Sequence, residues 1–239
     1  VTDNDMGANV QEKFAAWRDP QMKLTSLQVD KKAKTVTATY NLPEVKADLT
    51  IAYRATENGT LNVTQSLKTT PGAEMPEMMR FGMVMNLPYA MDQAEWYGRG
   101  PVENYSDRKL SQNVGIYKST ADKLFFPYVR PQETGTMSDL RWWQETDQNG
   151  FGFRIESDKL FSASALHYDL LALDEGEEKH QRHSQSLPKS QYTNLFVDLV
   201  QAGVGGVDSW SDWGRARKGH RVEYKDYTFS FRISPKTLY

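Results

Sequence analysis

Residues 34–70 read KTVTATYNLPEVKADLTIAYRATENGTLNVTQSLKTT and contain the clearest structural pattern of the chain. Apolar and threonine residues alternate over 35–40, and apolar residues alternate again with other residues over 49–53. A period of two predicts β-strands with one buried face. Asn58-Gly59 separates the second run from a third that begins at Leu61, and Asn-Gly suits the positive backbone angles of a tight hairpin turn. This stretch therefore predicts antiparallel strands joined by a hairpin.

The rest of the chain repeats the strand pattern between clusters of Gly, Pro, Asn and Asp. Helical periodicity is weak, and we expect only short helices near residues 10–17 and 119–124. Many short strands without alternating helices favour an all-β fold, a large antiparallel β-sandwich with few short helices. The further strand segments are 80–86, 151–155, 161–168, 195–200 and 227–233.

We expect a single domain over residues 1–239. A soft internal connection falls near 69–76, where two prolines and a glycine interrupt the strands. We place this connection inside the domain, because about 70 residues make a marginal core on their own.

Composition excludes several classes of partner. Lys and Arg number 29 against 31 Asp and Glu, so the formal net charge of -2 argues against nucleic acid. No stretch approaches the roughly 18 consecutive apolar residues of a membrane span, so we expect no membrane segment. The chain has no cysteine, which excludes disulfides and thiolate ligands. We expect a soluble protein, and both the cytoplasm and the periplasm stay open.

Three segments stand in an order that strand propensity alone would not generate. They are WYGRGPVENYSDR at 96–108, PYVRPQETG at 127–135 with DLRW at 139–142, and GVGGVDSW at 203–210. Together with TDNDMG at 2–7, they resemble the small-chain or carboxy-terminal domain of β-galactosidases in glycoside hydrolase family two. The resemblance runs from about Thr2 to about Ile233. It implies a galactose-mutarotase-like sandwich and a parent enzyme that hydrolyses terminal β-D-galactosides.

The resemblance also implies that Trp210 is the main substrate-binding residue of this chain. In the family, the tryptophan of the matching segment reaches the active site and packs on the bound sugar. An indole offers a flat apolar face with one N–H donor, which suits the C–H face of galactose. The alternative is that Trp210 is an ordinary core residue, as we expect for Trp96, Trp142 and Trp143.

Residues around Trp210 are expected to shape its loop. Asp208 and Ser209 can bond to nearby backbone, and the glycines of 203–206 permit backbone angles that other residues resist. Trp213 either adds a second aromatic face, as a weaker expectation, or simply packs.

Residues from Gly7 to about Phe14 match a mobile family loop that closes near the substrate entrance. Gly7 would serve as its hinge. A frayed terminus is the alternative.

The first motif also contains a group of polar residues with two possible interpretations. A charged cluster in the first motif could bind sugar hydroxyls, but its Gly-Arg-Gly-Pro setting favours a buttressed turn. The cluster consists of Arg99, Glu103, Asn104, Asp107 and Arg108.

Glu133 and His183 would carry the chemistry of a mutarotase-type epimerase if both lay within hydrogen-bond reach of one sugar. His180 and His183 form a weak metal pair, because no cysteine and no third obvious ligand accompany them. We therefore expect no metal site.

The chain is not expected to be catalytic by itself. A retaining glycosidase needs two carboxyl groups about 5–5.5 Å apart, and the family places both glutamates in a separate barrel domain. The expected partners are that barrel domain of the same polypeptide and a β-galactoside, and the parent is a candidate homo-oligomer. No cofactor is expected here, since the family uses magnesium or sodium through the barrel. The rival functions are a mutarotase-like epimerase and a free-standing carbohydrate-binding module.

Overall fold

Antiparallel strands dominate the computed structural model, which describes residues 1–174 and 182–236. Within these residues eleven strands form one hydrogen-bonded network, so the predicted all-β class is confirmed. The strands are β1 (Lys23–Asp30), β2 (Thr35–Leu42), β3 (Ala47–Ala55), β4 (Leu61–Thr69), β5 (Arg80–Pro88), β6 (Gln93–Gly100), β7 (Asn113–Thr120), β8 (Met137–Thr146), β9 (Gly152–Leu166), β10 (Tyr192–Gln201) and β11 (Tyr227–Pro235).

Helices are few and short, as predicted. They are α1 (Asp3–Gly7), α2 (Val10–Lys13), α3 (Ala15–Arg18) and α4 (Ala121–Leu124). The helix predicted at 10–17 is broken at Phe14, whose ψ of 14° departs from the helical value. Helix α1 was not predicted. It begins with a capping box, in which Asp5 N–H donates to the Thr2 hydroxyl and Thr2 N–H donates to the Asp5 carboxylate.

The segment 34–70 folds as β2, β3 and β4, which pair antiparallel in sequence order. The predicted hairpin is confirmed, since Ala55 pairs with Leu61 across its closed end. The prediction of a tight turn at Asn58-Gly59 is wrong, because residues 56–60 form a wider loop. Only Gly59 adopts a positive φ, of 79°, and Thr56 Oγ1 accepts a 3.1 Å hydrogen bond from Thr60 N–H inside the loop.

Strand β9 is the branch point of the sheet. Residues 153–156 pair with β11, residues 162–166 pair with β10, and β8 pairs with β9 on its other edge. One path runs from β9 through β11 to β4, β3, β2 and β1, and the other runs through β10 to β5. The two strands predicted at 151–155 and 161–168 are therefore one continuous strand.

The core lies between the two paths. Phe81 of β5 stacks on Tyr227 of β11 with ring centroids 5.5 Å apart, although these strands share no hydrogen bonds. Facing layers of this kind bury apolar side chains at about 1.5–3 kcal/mol each. The core includes Leu67 before the 69–76 connection and Met78 after it, so buried residues lie on both sides of that connection.

Strand β6 contains the start of the first motif, and strand β8 contains the end of the second. The indoles of Trp96 and Trp143 stack in the interior with centroids 5.4 Å apart, and both residues are buried as predicted. Trp142 is only partly buried, and the Arg154 guanidinium lies 4.1 Å from its ring centroid. No helix of the described residues has the length and apolar character needed to cross a membrane.

Candidate functional site

Trp210 lies on the loop that follows β10, which we call the Trp210 loop (residues 202–216). Its side chain is 79% exposed. This exposure excludes the alternative that Trp210 is an ordinary core residue. The indole is therefore available to contact a ligand or another domain.

Asp208 holds the backbone that carries Trp210. Its Oδ1 accepts hydrogen bonds from the N–H groups of Trp210 (3.2 Å) and Ser211 (3.0 Å), and its Oδ2 accepts from the Ser211 hydroxyl (2.6 Å). The bond from the Ser211 hydroxyl, with the backbone donors, lowers the pKa of Asp208 below its ordinary value. The carboxylate is therefore charged at neutral pH and fixes the turn at Trp210.

Asp107 holds the start of the Trp210 loop from the first motif. Its carboxylate accepts hydrogen bonds from Val204 N–H (3.1 Å) and Gly205 N–H (2.9 Å). A Cβ at position 203 would overlap this carboxylate, and a Cβ at 206 would overlap the Gly214 carbonyl.

The glycines at 203, 205 and 206 all have ordinary φ angles. The expectation that they supply unusual backbone angles is therefore wrong. Close approach of neighbouring groups explains the glycines at 203 and 206.

The N-terminal helical segment (residues 1–18) packs against the Trp210 loop. A Cβ at Gly7 would collide with the carbonyl of Ser209, so Ser209 contributes through its main chain and Gly7 permits the contact. Lys13 Nζ lies 2.5 Å from Asp212 Oδ1, and the Arg215 guanidinium lies 5.0 Å from the Phe14 ring centroid. The segment expected to be a loop thus contains the end of α1 and all of α2. The hinge role of Gly7 stays a prediction.

Trp213 also faces outward, with 70% of its side chain exposed. Its carbonyl accepts a 2.8 Å hydrogen bond from Val207 N–H, which closes the Trp210 loop. The interpretation that Trp213 simply packs does not hold. Two exposed indoles therefore lie three residues apart on one closed loop.

The charged cluster of the first motif is engaged within the protein. Arg99 pairs with Asp139 (Nε to Oδ2, 2.6 Å), and Glu103 accepts a 2.7 Å hydrogen bond from Gly135 N–H. Asn104 is fully buried and accepts a 3.0 Å bond from Ser138 N–H. These contacts favour the buttressed turn over a sugar-binding role.

Glu133 and His183 occupy different surroundings. The Glu133 carboxylate lies 2.5 Å from Arg80 Nη2, whereas exposed His183 places Nδ1 3.3 Å from the Val129 carbonyl. Burial alone would raise the pKa of Glu133. The charge of the neighbouring Arg80 outweighs burial, so the pKa of Glu133 is lowered below its ordinary value. No hydrogen bond or ion pair of the described residues joins Glu133 to His183, so this structure does not assemble the epimerase pair.

The described residues contain no group of three His, Asp or Glu side chains able to hold a metal ion. His180, the other half of the weak histidine pair, lies outside the described residues.

Sequence reasoning missed several supports of the Trp210 loop. Asp107 was assigned to a local turn, and the contacts of Asn4 and Lys13 were not predicted. Asn4 presents its carbonyl so close to Gly214 that a side chain there would overlap it. The only signal was the shared occurrence of the first and third motifs in one chain.

Comparison with known proteins identifies the family. A family model described as "Beta galactosidase small chain" matches residues 1–233. A β-galactosidase of Priestia megaterium is 31% identical over 240 aligned residues, which cover 98% of this chain and 22% of that protein. A β-galactosidase of Lactobacillus delbrueckii subsp. bulgaricus is 34% identical over 217 residues, 88% of this chain and 20% of that protein.

This chain spans about a fifth of the length of these curated relatives. Among solved structures, a galactose mutarotase related enzyme from Lactobacillus acidophilus aligns with 90% of this chain and 71% of that chain. The alignment has a TM-score of 0.44 and 10% identity. The family match includes the N-terminal segment, Asp107, Asp208 and Trp210. On that match, this chain belongs to the β-galactosidase small-chain family.

Proposed function

We propose that this chain completes the sugar-binding site of a β-galactosidase. In this proposal the parent polypeptide supplies a barrel domain with the catalytic carboxylates, and the chain packs on it and presents Trp210 to the bound galactoside. The observation that carries the proposal is an indole that is 79% exposed on a loop braced by Asp208, by Asp107 and by the N-terminal segment.

The braces matter because a binding platform must be held in place before the ligand arrives. A side chain that is already positioned loses little conformational freedom on binding, so more of its contact energy appears as affinity. Asp208 fixes the backbone of Trp210 itself, while Asp107 fixes the backbone of Val204 and Gly205, six and five residues earlier in the motif. These hydrogen bonds restrain the backbone that carries Trp210 and leave its side-chain torsions unrestrained.

Trp210 would act by binding and not by proton transfer. Its indole face can cover the C–H face of galactose while the hydroxyl groups bond to other residues of the parent. Proton transfer and nucleophilic attack need a carboxyl pair about 5–5.5 Å apart, which the proposal assigns to the barrel domain. Loss of the platform should therefore weaken binding more than chemistry.

The test is a kinetic comparison in the full-length parent. We expect Trp210→Ala to lower kcat/KM for β-galactosides by about 10- to 100-fold, mainly by raising KM, as for loss of a central aromatic contact. Trp210→Phe should retain part of the activity because it keeps an aromatic face.

Val207→Ala is the matched control, since Val207 is 65% exposed on the same loop. It should leave kcat and KM unchanged. Equal kcat/KM values for the parent, Trp210→Ala and Val207→Ala would refute the platform role. Trp213→Ala measured beside them decides whether the second exposed indole contributes.

A further inference from the structure

Strand β1 is a free edge of the sheet. It lies at one end of the strand order and, among the described residues, it pairs only with β2. The backbone N–H and C=O groups of alternate β1 residues therefore point away from the protein and are open to another strand. Proteins often protect such an edge with charges along the strand, but the six residues from Leu24 to Val29 carry none.

One face of β1 is apolar and exposed. The side chains of Leu24, Leu27 and Val29 are 55%, 60% and 61% exposed. They pair with alternate residues of β2, so all three point to the same face of the sheet. This face continues the core face of β2, because the partner of Leu27 is the buried Ala38. The apolar surface of the sheet thus extends beyond the core.

A bulge makes β1 symmetric about its centre. Thr25 has no partner on β2, so the other seven residues of the strand alternate between the two faces. Leu27 is the middle one of these seven, and Leu24 and Val29 lie two positions to either side of it. A second β1 running antiparallel about Leu27 would therefore place Leu27 opposite Leu27, and Leu24 opposite Val29 of the second copy.

The same register brings opposite charges together. Lys23 and Asp30 lie at the two ends of β1, exposed and on the face opposite to the apolar one. The Lys23 ammonium has no ion-pair partner among the described residues. The Asp30 carboxylate uses Oδ1 to accept a 2.8 Å bond from Ala33 N–H, which leaves Oδ2 available. Antiparallel pairing about Leu27 sets each Lys23 opposite the Asp30 of the other copy, so charge and apolar matching favour one register.

We propose that the chain forms a two-fold dimer in which β1 pairs antiparallel with β1 of a second copy. The pairing joins the two sheets, covers both free edges and closes the assembly at two chains. Strand pairing alone makes a small interface, so we expect the association to depend on chain concentration. The inference does not rest on the proposed role of Trp210.

Sedimentation equilibrium of the 239-residue chain measures the association, and amide hydrogen exchange at low and high concentration shows which strand pairs. Dimer formation should slow exchange of the outward amides of β1 and leave those of β7, at the other end of the strand order, unchanged. Leu27→Lys places two ammonium groups at the two-fold axis and should weaken the association at least tenfold. Ile116→Lys is the matched control, since Ile116 is 62% exposed on β7, and it should leave the association unchanged.

Charge reversal tests the register. Lys23→Glu and Asp30→Lys each set like charges opposite one another in the homodimer, so each should weaken self-association by about fivefold or more. A mixture of the two variants restores both opposite-charge pairs. It should form a heterodimer about as stable as the unmodified dimer, a recovery that a parallel pairing or another register would not give.

The proposal is overturned if the chain stays monomeric at all concentrations, if a dimer forms without slower exchange in β1, or if Leu27→Lys and Ile116→Lys associate alike. A mixture of charge variants that associates no better than its components overturns it as well. Should Asp30→Lys fail to fold without the bond to Ala33, the exchange measurement and Leu27→Lys decide. Slower exchange of β1 in a monomeric full-length parent would assign this edge to another domain and reject the second copy.

Discussion

Asp107 shows at the scale of one residue why the first and third motifs occur together. Its carboxylate bridges 97 positions of sequence to accept from Val204 N–H. A neighbouring bond from Gly205 N–H makes the carboxylate a clamp on the start of the Trp210 loop. The position of Trp210 therefore depends on an aspartate that lies in the other motif.

Asp107→Ala should loosen the Trp210 loop. Removal of the carboxylate leaves two backbone donors without their acceptor, which should cost about 1–2 kcal/mol of unfolding free energy. In the full-length parent it should also raise KM. Asp107→Asn keeps one acceptor oxygen, so its stability and KM should lie between those of the unmodified chain and those of Asp107→Ala.

Urea unfolding of the chain and steady-state kinetics of the parent measure these effects. Asp158→Ala removes an exposed aspartate of β9 and serves as the control. Indistinguishable stability and KM for Asp107→Ala and Asp158→Ala would show that the clamp does not matter.

In the third motif, the sequence predicted the local backbone contact of Asp208 but not the reason for the glycines. Asp208 bonds to the backbone beside Trp210, as the preference of Asp for such turns predicts. The glycine at 206 was assigned to a special backbone angle, whereas it makes room for the Gly214 carbonyl. Contacts between distant segments have no local signature, so only folded coordinates reveal them.

Among the strands, those with one buried face and one exposed face are the easiest to predict from sequence. Strands β2 and β3 have one face toward the core and alternate visibly, but β1 is exposed along nearly all its length and β8 is buried along most of it. Neither alternates, and neither was predicted. Strand β9 was divided in the prediction because Ser157 and the exposed Asp158 and Lys159 have the composition of a turn. Helix α1 had a signal in Thr2 and Asp5 that sequence reasoning did not use.

Gly7→Ala tests the contact between α1 and the Trp210 loop. The new methyl group would collide with the Ser209 carbonyl, so we expect a loss of about 1–3 kcal/mol of unfolding free energy. The displaced loop should also alter the quenching of Trp210 fluorescence by acrylamide.

Gly219→Ala is the matched control, because nothing lies within 4 Å of a Cβ at that position. It should change stability by no more than about 0.5 kcal/mol. A Gly7→Ala chain as stable as Gly219→Ala would contradict the packing role and leave the hinge as the remaining explanation for Gly7.

At the scale of the whole molecule, the interior contains acids that resist ionisation. Burial raises the pKa of Glu145 from 4.5 to about 8, although the Trp143 N–H donates a 2.8 Å bond to this carboxyl. Burial likewise raises the pKa of Asp198 to about 6, against the opposing effect of Arg80. Both groups bind protons more tightly in the folded than in the unfolded chain.

Stability should therefore fall as the pH rises through this range. Between about 4.5 and 8 the unfolded chain releases the Glu145 proton while the folded chain keeps it, so the unfolding free energy decreases with pH. Glu145→Gln keeps an acceptor for Trp143 and removes the titration, so its stability should fall less over the same range.

Urea unfolding at several pH values measures this slope. Glu57→Gln is the control, since the Glu57 side chain is 93% exposed and should leave the slope unchanged. Parallel pH profiles for Glu145→Gln and the unmodified chain would contradict the assignment of Glu145.

We propose that the fold holds Trp210 against a sugar bound at the active site of the parent. A crystal structure of the full-length parent with isopropyl β-D-thiogalactoside is the decisive measurement. The Trp210 ring should lie within about 4 Å of the C–H face of the sugar, with the Asp208 and Asp107 bonds intact. A structure in which the galactoside is bound and Trp210 touches no sugar atom would contradict it.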